Sequence, residues 1–240
     1  MSIDFAKAWE IFMENIPLFT YGIQITLLYA IVGTVCGFLI GLVVGGIRAI
    51  EINDYDSPFS QLLKRFGKLI TGFYIWVFRG TPMMVQAMFL YYLLKPAFNW
   101  TPLVAGLFII SINTGAYMAE IIRAGIQSVD AGQSEAAKSL GMTTSQTLIS
   151  VIFPQAIKNT FPSIGNQLIV NIKDSSMLNV ISVTELYFQT TSVAGSNMKY
   201  IECFLVAAII YLFLTTISTF ILNYIEKRLN SKKQSKDFCS

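Results

Sequence analysis

Five long apolar segments limit what this chain can fold into more than any other feature of its sequence. Hydrophobic residues make up 54% of the 240 residues and charged residues only 13%, whereas about a quarter of an ordinary soluble domain is charged. An α-helix needs about 20 mostly apolar residues to cross a bilayer. The sequence therefore predicts an all-α membrane protein with five transmembrane helices, at about 18–47, 69–94, 102–122, 161–183 and 200–224.

The basic side chains indicate which way these helices run. Cytoplasmic loops of membrane proteins carry an excess of Lys and Arg, and most of the 17 Lys and Arg residues follow the first, third and fifth segments. This distribution predicts that the N-terminal segment of about 1–16 is external and that the polar tail of about 230–240 is cytoplasmic. Since no Pro- or Ser-rich linker interrupts the chain, we expect residues 1–240 to form one transmembrane domain.

The residue types argue against several kinds of chemistry. The chain has no histidine, which is the usual general base and the commonest metal ligand. Its three cysteines form no CxxC pair, so we predict no metal site. The Gly67-Lys68 pair is followed by leucine and does not fit the GxxxxGK(S/T) phosphate-binding loop. We therefore expect that the chain is not an enzyme and that it binds no cofactor itself.

Glycines recur at every fourth position of the first apolar segment, at Gly33, Gly37, Gly41 and Gly45. Residues four apart lie on the same side of an α-helix. In lipid, a stripe of small residues lets a second helix approach closely and gain van der Waals contact. The stripe predicts close helix packing, either within the chain or between subunits.

The segment that reads EAAKSLGMTTSQTLISVIFP is polar for so apolar a chain and contains the signals of two successive helices. Asp130 and Gln133 have the spacing of a capping box, and Gly141 suits a left-handed helix stop. The capping pattern repeats from Thr143. We expect a short cytoplasmic helix over about 131–141.

This short helix would present a small apolar face made of Ala136, Ala137 and Leu140, with Glu135 beside it. A helix of this length is only marginally stable alone, so it needs a surface on which to dock. The residue pattern leaves two surfaces open, that of the chain's own helices and that of a partner protein.

The same loop resembles the EAA motif of ABC importer permeases. Glu135, Ala136 and Ala137 are followed at the spacing of that motif by Gly141 and by the pair Phe153-Pro154. Val151 and Phe153 depart from the usual isoleucine and leucine, but both keep an apolar side chain there. Further segments resemble the permeases for polar amino acids in order and spacing, namely Arg79-Gly80-Thr81-Pro82, residues 116–126, Pro154-Gln155-Ala156, Gly165-Asn166-Gln167 and Lys173-Asp174-Ser175-Ser176.

This resemblance covers about 16–229 and implies a permease similar to type I ABC importers, in a bacterial cytoplasmic membrane. It implies a second permease subunit, either an identical copy or a relative, and a cytoplasmic ABC ATPase dimer that uses ATP and Mg²⁺. An external solute-binding protein would deliver a polar amino acid, and no nucleic acid is expected as a partner. The residues that would couple the permease to the ATPase are Glu135, Ala136, Ala137, Leu140 and Gly141.

Polar residues inside the apolar segments are candidates for the solute path because they are costly in lipid. Arg79 lies within the second segment, and Pro82 predicts that this helix is kinked or broken. Arg79 either faces a cavity and attracts a carboxylate or pairs with an acid such as Glu120. Thr81 and Gln86 either line the path or satisfy backbone groups at the break.

Amide side chains add further candidates in the third and fourth segments. Asn113 can both donate and accept, which suits a charged solute group but also an interhelical hydrogen bond. Asn166, Gln167 and Asn171 recur at spacings of four or five and predict an amide-lined face. This lining favours a polar or zwitterionic solute over a lipid or a metal ion.

The end of the fourth segment holds an adjacent pair of opposite charge, Lys173 and Asp174. We predict that the two form a gate or a structural ion pair near the outer end of the helix. Some relatives carry an acid at the position of Gln167, so its uncharged amide disfavours a strongly cationic solute.

A stand-alone secondary transporter or channel is the competing function. Such proteins often contain internal repeats and acidic residues for ion coupling, and no convincing repeat is found in this sequence. An intramembrane enzyme is a third class, but its serines would lack an evident base. The sequence therefore favours the permease subunit of an importer, with alternating access driven by partner ATPases through the helix at 131–141.

Overall fold

The computed structural model describes residues 4–50, 52 and 57–237, with the side chains of the last helix described as far as Arg228. Parts of the predicted external segment 1–16 and of the predicted tail 230–240 lie outside these residues. Nearly all described residues are helical and none of them is in a β-strand, which confirms the predicted all-α class. The elements are α1 (Phe5–Glu14), α2 (Ile16–Ala49), α3 (Pro58–Gly80), α4 (Met83–Phe98), α5 (Pro102–Gln127), α6 (Ala131–Ser139), α7 (Thr144–Thr147), a π-helix (Leu148–Ile152), α8 (Phe153–Asp174), a 3-10 helix (Ser175–Ile181), α9 (Leu186–Asn197) and α10 (Tyr200–Asp237).

Three helices are long and apolar enough to cross a membrane, judged by length and composition: α2, α5 and the part of α10 from Tyr200 to Arg228. They coincide with the first, third and fifth predicted segments. The second predicted segment falls on α3 and α4, and the fourth falls on α8 and the 3-10 helix. These two segments are also helical, but they are interrupted or carry more polar side chains.

The second predicted segment is broken where the sequence predicts it. Helix α3 ends at Gly80 and α4 begins at Met83. Between them Pro82 has an extended conformation, with φ −65° and ψ 136°. Proline has no N–H to donate and its ring clashes with the preceding turn, so it is favoured at the start of a helix and disfavoured in the interior.

The described residues form two compact units, each built from three parts of the chain. The first unit comprises the described residues within 1–35, 81–111 and 168–221. Its main core joins α2, α4, α5 and the 3-10 helix through buried side chains that include Tyr29, Ala87, Ile109 and Leu178. The hydroxyl of Tyr29 donates to the carbonyl of Leu103 at 2.9 Å, so the polar end of this buried ring is satisfied.

The second unit comprises the described residues within 36–80, 112–167 and 222–240. Here the glycines of α2 lie directly against α5, with Gly37 beside Thr114 and Gly41 beside Met118. In the first unit, Gly33 lies against Ile110 of α5 in the same way. The glycine stripe therefore packs two helices of one chain against each other, which is one of the two arrangements predicted for it.

Candidate functional site

The predicted short helix is present as α6, in the second unit. Asp130 caps it by accepting a hydrogen bond from the N–H of Gly132 at 2.7 Å. The predicted capping box with Gln133 is wrong, because the Gln133 side chain instead accepts from Nε2 of Gln155 at 3.4 Å. Gly141 has a φ of +83°, which confirms the predicted left-handed stop.

The next helix begins with the predicted capping box. The N–H of Gln146 donates to Oγ1 of Thr143 at 3.3 Å, and the N–H of Thr143 donates to Oε1 of Gln146 at 2.9 Å. The starts of two separate helices, at Ala131 and Thr144, therefore lie close together in the sequence. Gly141, in its left-handed conformation, lies between them.

The residues of the apolar face predicted for α6 differ in their exposure to solvent. Ala137 is buried against its own unit, whereas Leu140 is 85% exposed. Glu135 and Ala136 are exposed as well. An exposed leucine at the end of a short polar helix is a natural contact for another protein, but the coupling role of these residues stays a prediction.

Two hydrogen bonds between side chains hold this loop to α8. Nε2 of Gln155 donates to Gln133, and Nδ2 of Asn159 donates to Oγ of Ser128 at 3.0 Å. Each bond joins one residue near the start of α6 to one residue in the first turns of α8.

A cluster of charged side chains surrounds Glu120 in the same unit. Arg123 donates to Oε2 of Glu120 through Nη2 at 2.8 Å and through Nε at 3.2 Å. Nη1 of Arg79 lies 3.8 Å from Oε2, and Nε of Arg48 lies 4.0 Å from Oε1. Three guanidinium groups thus share one carboxylate, and this cluster of four side chains has a net charge of +2.

Arg79 fits both interpretations drawn from the sequence. The ion pair with Glu120 is present, and the guanidinium also lies over the ring of Tyr117, 5.5 Å from its centroid. At the same time 45% of the Arg79 side chain is exposed, and the residue lines a cavity of about 480 Å³.

This cavity lies within the second unit and has a wall from α8. Asn159, Ser163 and Gln167, which are four residues apart, bring one polar side of that helix to the cavity. The whole lining consists of Arg79, Tyr117, Glu120, Ile121, Arg123, Ala124, Gly125, Ser128, Asn159, Thr160, Ser163 and Gln167.

Gln86 and Thr81 lie at the helix break, in the first unit. The buried Gln86 side chain donates through Nε2 to the carbonyl of Thr81 at 2.9 Å and to its Oγ1 at 2.8 Å. Gln86 therefore satisfies polar groups that the break exposes, which is the structural alternative predicted for it. A role of either residue in the solute path stays a prediction.

Two of the predicted amides make hydrogen bonds between helices. Nδ2 of Asn113 donates to the carbonyl of Phe78 at 3.5 Å, and Nδ2 of Asn171 donates to Oγ1 of Thr34 at 2.9 Å. Both side chains are buried. Both bonds join two helices. For Asn113, an interhelical hydrogen bond was one of the two roles that the sequence predicted.

The predicted amide-lined face of α8 is not continuous. Gln167 and Asn171 are buried, whereas Asn166 is exposed, because adjacent residues are about 100° apart around a helix. At the end of α8, Lys173 is exposed and Asp174 is half-buried. A gate or ion pair formed by these two residues stays a prediction.

The sequence analysis missed one buried acid, Glu185, in the first unit. Its carboxylate accepts from the N–H groups of Tyr187 and Phe188 and from the hydroxyl of Tyr211, at 2.8–2.9 Å. The visible signal was an acid directly before the apolar run Leu-Tyr-Phe, at the start of a helix. Among the described residues, no group of three or more His, Cys, Asp or Glu side chains is placed to hold a metal ion.

Comparison with known proteins agrees with this architecture. The sequence profile of the family described as "Binding-protein-dependent transport system inner membrane component" matches residues 58–231. The glutamine transport system permease protein GlnP of Escherichia coli (strain K12) is 36% identical over 224 residues, 92% of this chain and 97% of the relative. The arginine transport system permease protein ArtQ of Bacillus subtilis (strain 168) is 33% identical over 237 residues, 96% of this chain and 99% of the relative.

Solved structures show the same relationship. A chain of an amino acid ABC transporter crystallised with histidines has a TM-score of 0.80 and 36% identity, with 95% of this chain and 100% of that chain covered. A chain of the inward-facing MetNI methionine ABC transporter has a TM-score of 0.76 at 18% identity, which supports the fold alone. The profile match over most of the chain, together with these relatives, shows that the chain belongs to the family of binding-protein-dependent transport system inner membrane components.

Proposed function

We propose that the chain is the permease subunit of an ATP-driven importer for a polar amino acid. The observation that carries the proposal is the exposed end of α6, where Leu140 projects from a capped helix that is hydrogen-bonded to α8. Such a helix can transmit movement of a docked ATPase into the membrane part of the chain. The similarity to a solved amino acid ABC transporter over 95% of the chain supports this proposal.

In this proposal the chain hydrolyses no ATP itself. A cytoplasmic ABC ATPase dimer uses ATP and Mg²⁺, a second permease subunit completes the path, and an external binding protein delivers the amino acid. The N-terminus is external and the C-terminus cytoplasmic, which places α6 on the ATPase side. ATP binding closes the ATPase dimer, α6 moves with it, and the path opens to the loaded binding protein.

The first experiment isolates the protein from its native membrane in mild detergent and identifies the proteins that copurify. The complex is then assayed for ATP hydrolysis with its binding protein and with single amino acids. We expect an ATPase subunit in the complex and hydrolysis that rises with one or a few polar amino acids. A chain that purifies alone and transports amino acids in vesicles without ATP would identify a secondary transporter instead.

A further inference from the structure

Helix α1 has three chemically different sides, because residues three or four apart share one side of an α-helix. One side is buried in the first unit and contains Ala8 and Ile11. A second side is apolar but exposed, with 69% of Phe5, 64% of Trp9 and 51% of Met13 accessible. Large apolar side chains are unfavourable in water, so three of them on one side of a short helix indicate that another surface covers them.

The third side of α1 is charged. Lys7, Glu10 and Glu14 lie three or four residues apart on it. Nζ of Lys7 is 2.9 Å from Oε1 of Glu10, and both side chains are partly exposed. Charged groups are costly in lipid, so this side belongs in water. A helix with one buried, one charged and one exposed apolar side is suited to a boundary between water and an apolar phase.

Helix α1 is also attached directly to a helix that is long and apolar enough to cross a membrane. Only Asn15 separates it from α2. The backbone of Asn15 has φ −115° and ψ 19° and is not helical, so α1 does not continue α2. The ring of Phe12 lies 6.0 Å from that of Phe19, which holds α1 beside the end of α2. Exposed apolar side chains begin on α2 at once, with Ile16 and Leu18.

We propose that α1 lies along the membrane surface, with Phe5, Trp9 and Met13 in the boundary between lipid headgroups and acyl chains. Helices with one apolar and one charged side bind at this boundary, and tryptophan is enriched there because its apolar ring carries a polar N–H. A stable protein interface buries about 800 Å² on each partner. Two aromatic residues of about 150–250 Å² each and one methionine provide less than this, so the surface that covers them is phospholipid.

The buried side of α1 connects this lipid contact to two other helices. Ala8 belongs to one buried cluster with Leu186 at the start of α9 and Val206 of α10. Ile11 belongs to a second cluster, which includes Val193 of α9. Helix α1 therefore joins the lipid boundary to α9 and α10. The inference requires only that α2 crosses the membrane, and it is independent of the transported solute and of the direction in which the chain crosses.

The test uses the permease with its copurifying subunits in nanodiscs of phosphatidylcholine, with or without bromine atoms near the glycerol end of the acyl chains. The emission of the wild type minus that of Trp9→Phe isolates the Trp9 indole from every other tryptophan in the complex. We expect brominated lipid to remove most of this difference emission, because bromine quenches an indole that it contacts. Aqueous iodide should leave the difference emission almost unchanged.

The matched control places an indole on the charged side of the same helix, in the double variant Trp9→Phe/Glu10→Trp. The two positions are adjacent and therefore about 100° apart around the helix. Subtraction of the Trp9→Phe spectrum isolates the introduced indole. We expect iodide to quench it and brominated lipid to leave it unchanged.

Three results would overturn the proposal. Quenching of Trp9 by iodide alone would show that its side of α1 faces water, where an external protein can reach it. Protection of Trp9 from both quenchers would show that another protein chain covers it. Quenching of both indoles by brominated lipid would show that α1 is immersed in the bilayer and does not lie along its surface.

Discussion

Gly37 on α2 lies so close to Thr114 on α5 that a Cβ atom added at position 37 would be 2.6 Å from Cγ2 of Thr114. Carbon atoms in contact prefer separations of about 3.5–4.0 Å. The two helices therefore touch without an intervening side chain at this level of the second unit.

Gly37→Ala should for this reason destabilise the protein by about 1–3 kcal/mol, the usual cost of overpacking. The measurement is the temperature at which half of the purified protein remains monodisperse. Gly195→Ala is the matched control, because nothing lies within 4 Å of a Cβ added there and alanine favours a helix over glycine by about 1 kcal/mol. A tolerated Gly37→Ala would show that the helices separate easily.

Gly141→Val should uncouple ATP hydrolysis from uptake. The φ of +83° at this position suits glycine and strains a β-branched residue, so the loop after α6 would be rebuilt. We expect amino-acid uptake to fall by about tenfold or more, equivalent to at least 1.4 kcal/mol, while the ATPase still hydrolyses ATP. Gly141→Asn is the control, since asparagine tolerates the left-handed conformation; normal uptake by the valine variant would contradict the coupling role of α6.

Leu140→Glu should weaken the association with the ATPase without unfolding the permease. The side chain is 85% exposed, and substitutions at such surface positions usually change stability by less than about 0.5 kcal/mol. We expect unchanged permease in the membrane but little copurifying ATPase, whereas Leu140→Met retains it. Undiminished ATPase recovery with the glutamate variant would place the contact elsewhere.

Gln86→Leu separates the two roles considered for this residue. The amide donates two hydrogen bonds to Thr81, and each hydrogen bond contributes about 1 kcal/mol. We therefore expect a lower thermal midpoint in Gln86→Leu than in Val85→Leu, a neighbouring exposed position of α4. A variant with unchanged stability but reduced uptake would instead support a direct contact with the solute.

Glu185→Ala should destabilise the protein by about 3 kcal/mol, because buried donors are left without their acceptor. Tyr211→Phe removes one of those donors and should cost less. Since the two side chains share a hydrogen bond, the double variant should cost less than the sum, with a coupling of about 1–3 kcal/mol. Glu10→Ala, which removes an exposed ion pair with Lys7, is the control; strict additivity at 185 and 211 would show that the bond adds nothing.

Features that depend on neighbouring residues were predictable from the sequence. The capping box at Thr143, the stop at Gly141 and the break at Pro82 each follow from the conformational limits of a few adjacent side chains. The hydrogen bond that the Gln133 side chain makes in place of the predicted capping box was not predictable, because its partner, Gln155, belongs to another helix. A local pattern identifies a polar group that needs a partner, but it does not identify which distant group provides one.

The same limit applies to the candidate site. Arg79 and Gln167 were recognisable as polar residues in apolar segments, and the pairing of Arg79 with Glu120 was one of two interpretations. Arg79 and Gln167 line the same cavity because of the way in which α3, α5 and α8 pack, which the sequence does not show. The amide pattern on α8 also could not show that Asn166 faces outward while Gln167 faces the cavity.

The π-helix at Leu148–Ile152 lies between the loop that contains α6 and the polar side of α8. A π-helix accommodates one residue more than the α-helix it interrupts, and each residue turns an α-helix by about 100°. Converting this segment to regular α-helix without removing a residue would therefore rotate Asn159 and Ser163 by about a quarter turn relative to α6. The π-helical conformation of this short segment thus sets the rotation of α8 about its own axis and determines which side of α8 meets the cavity.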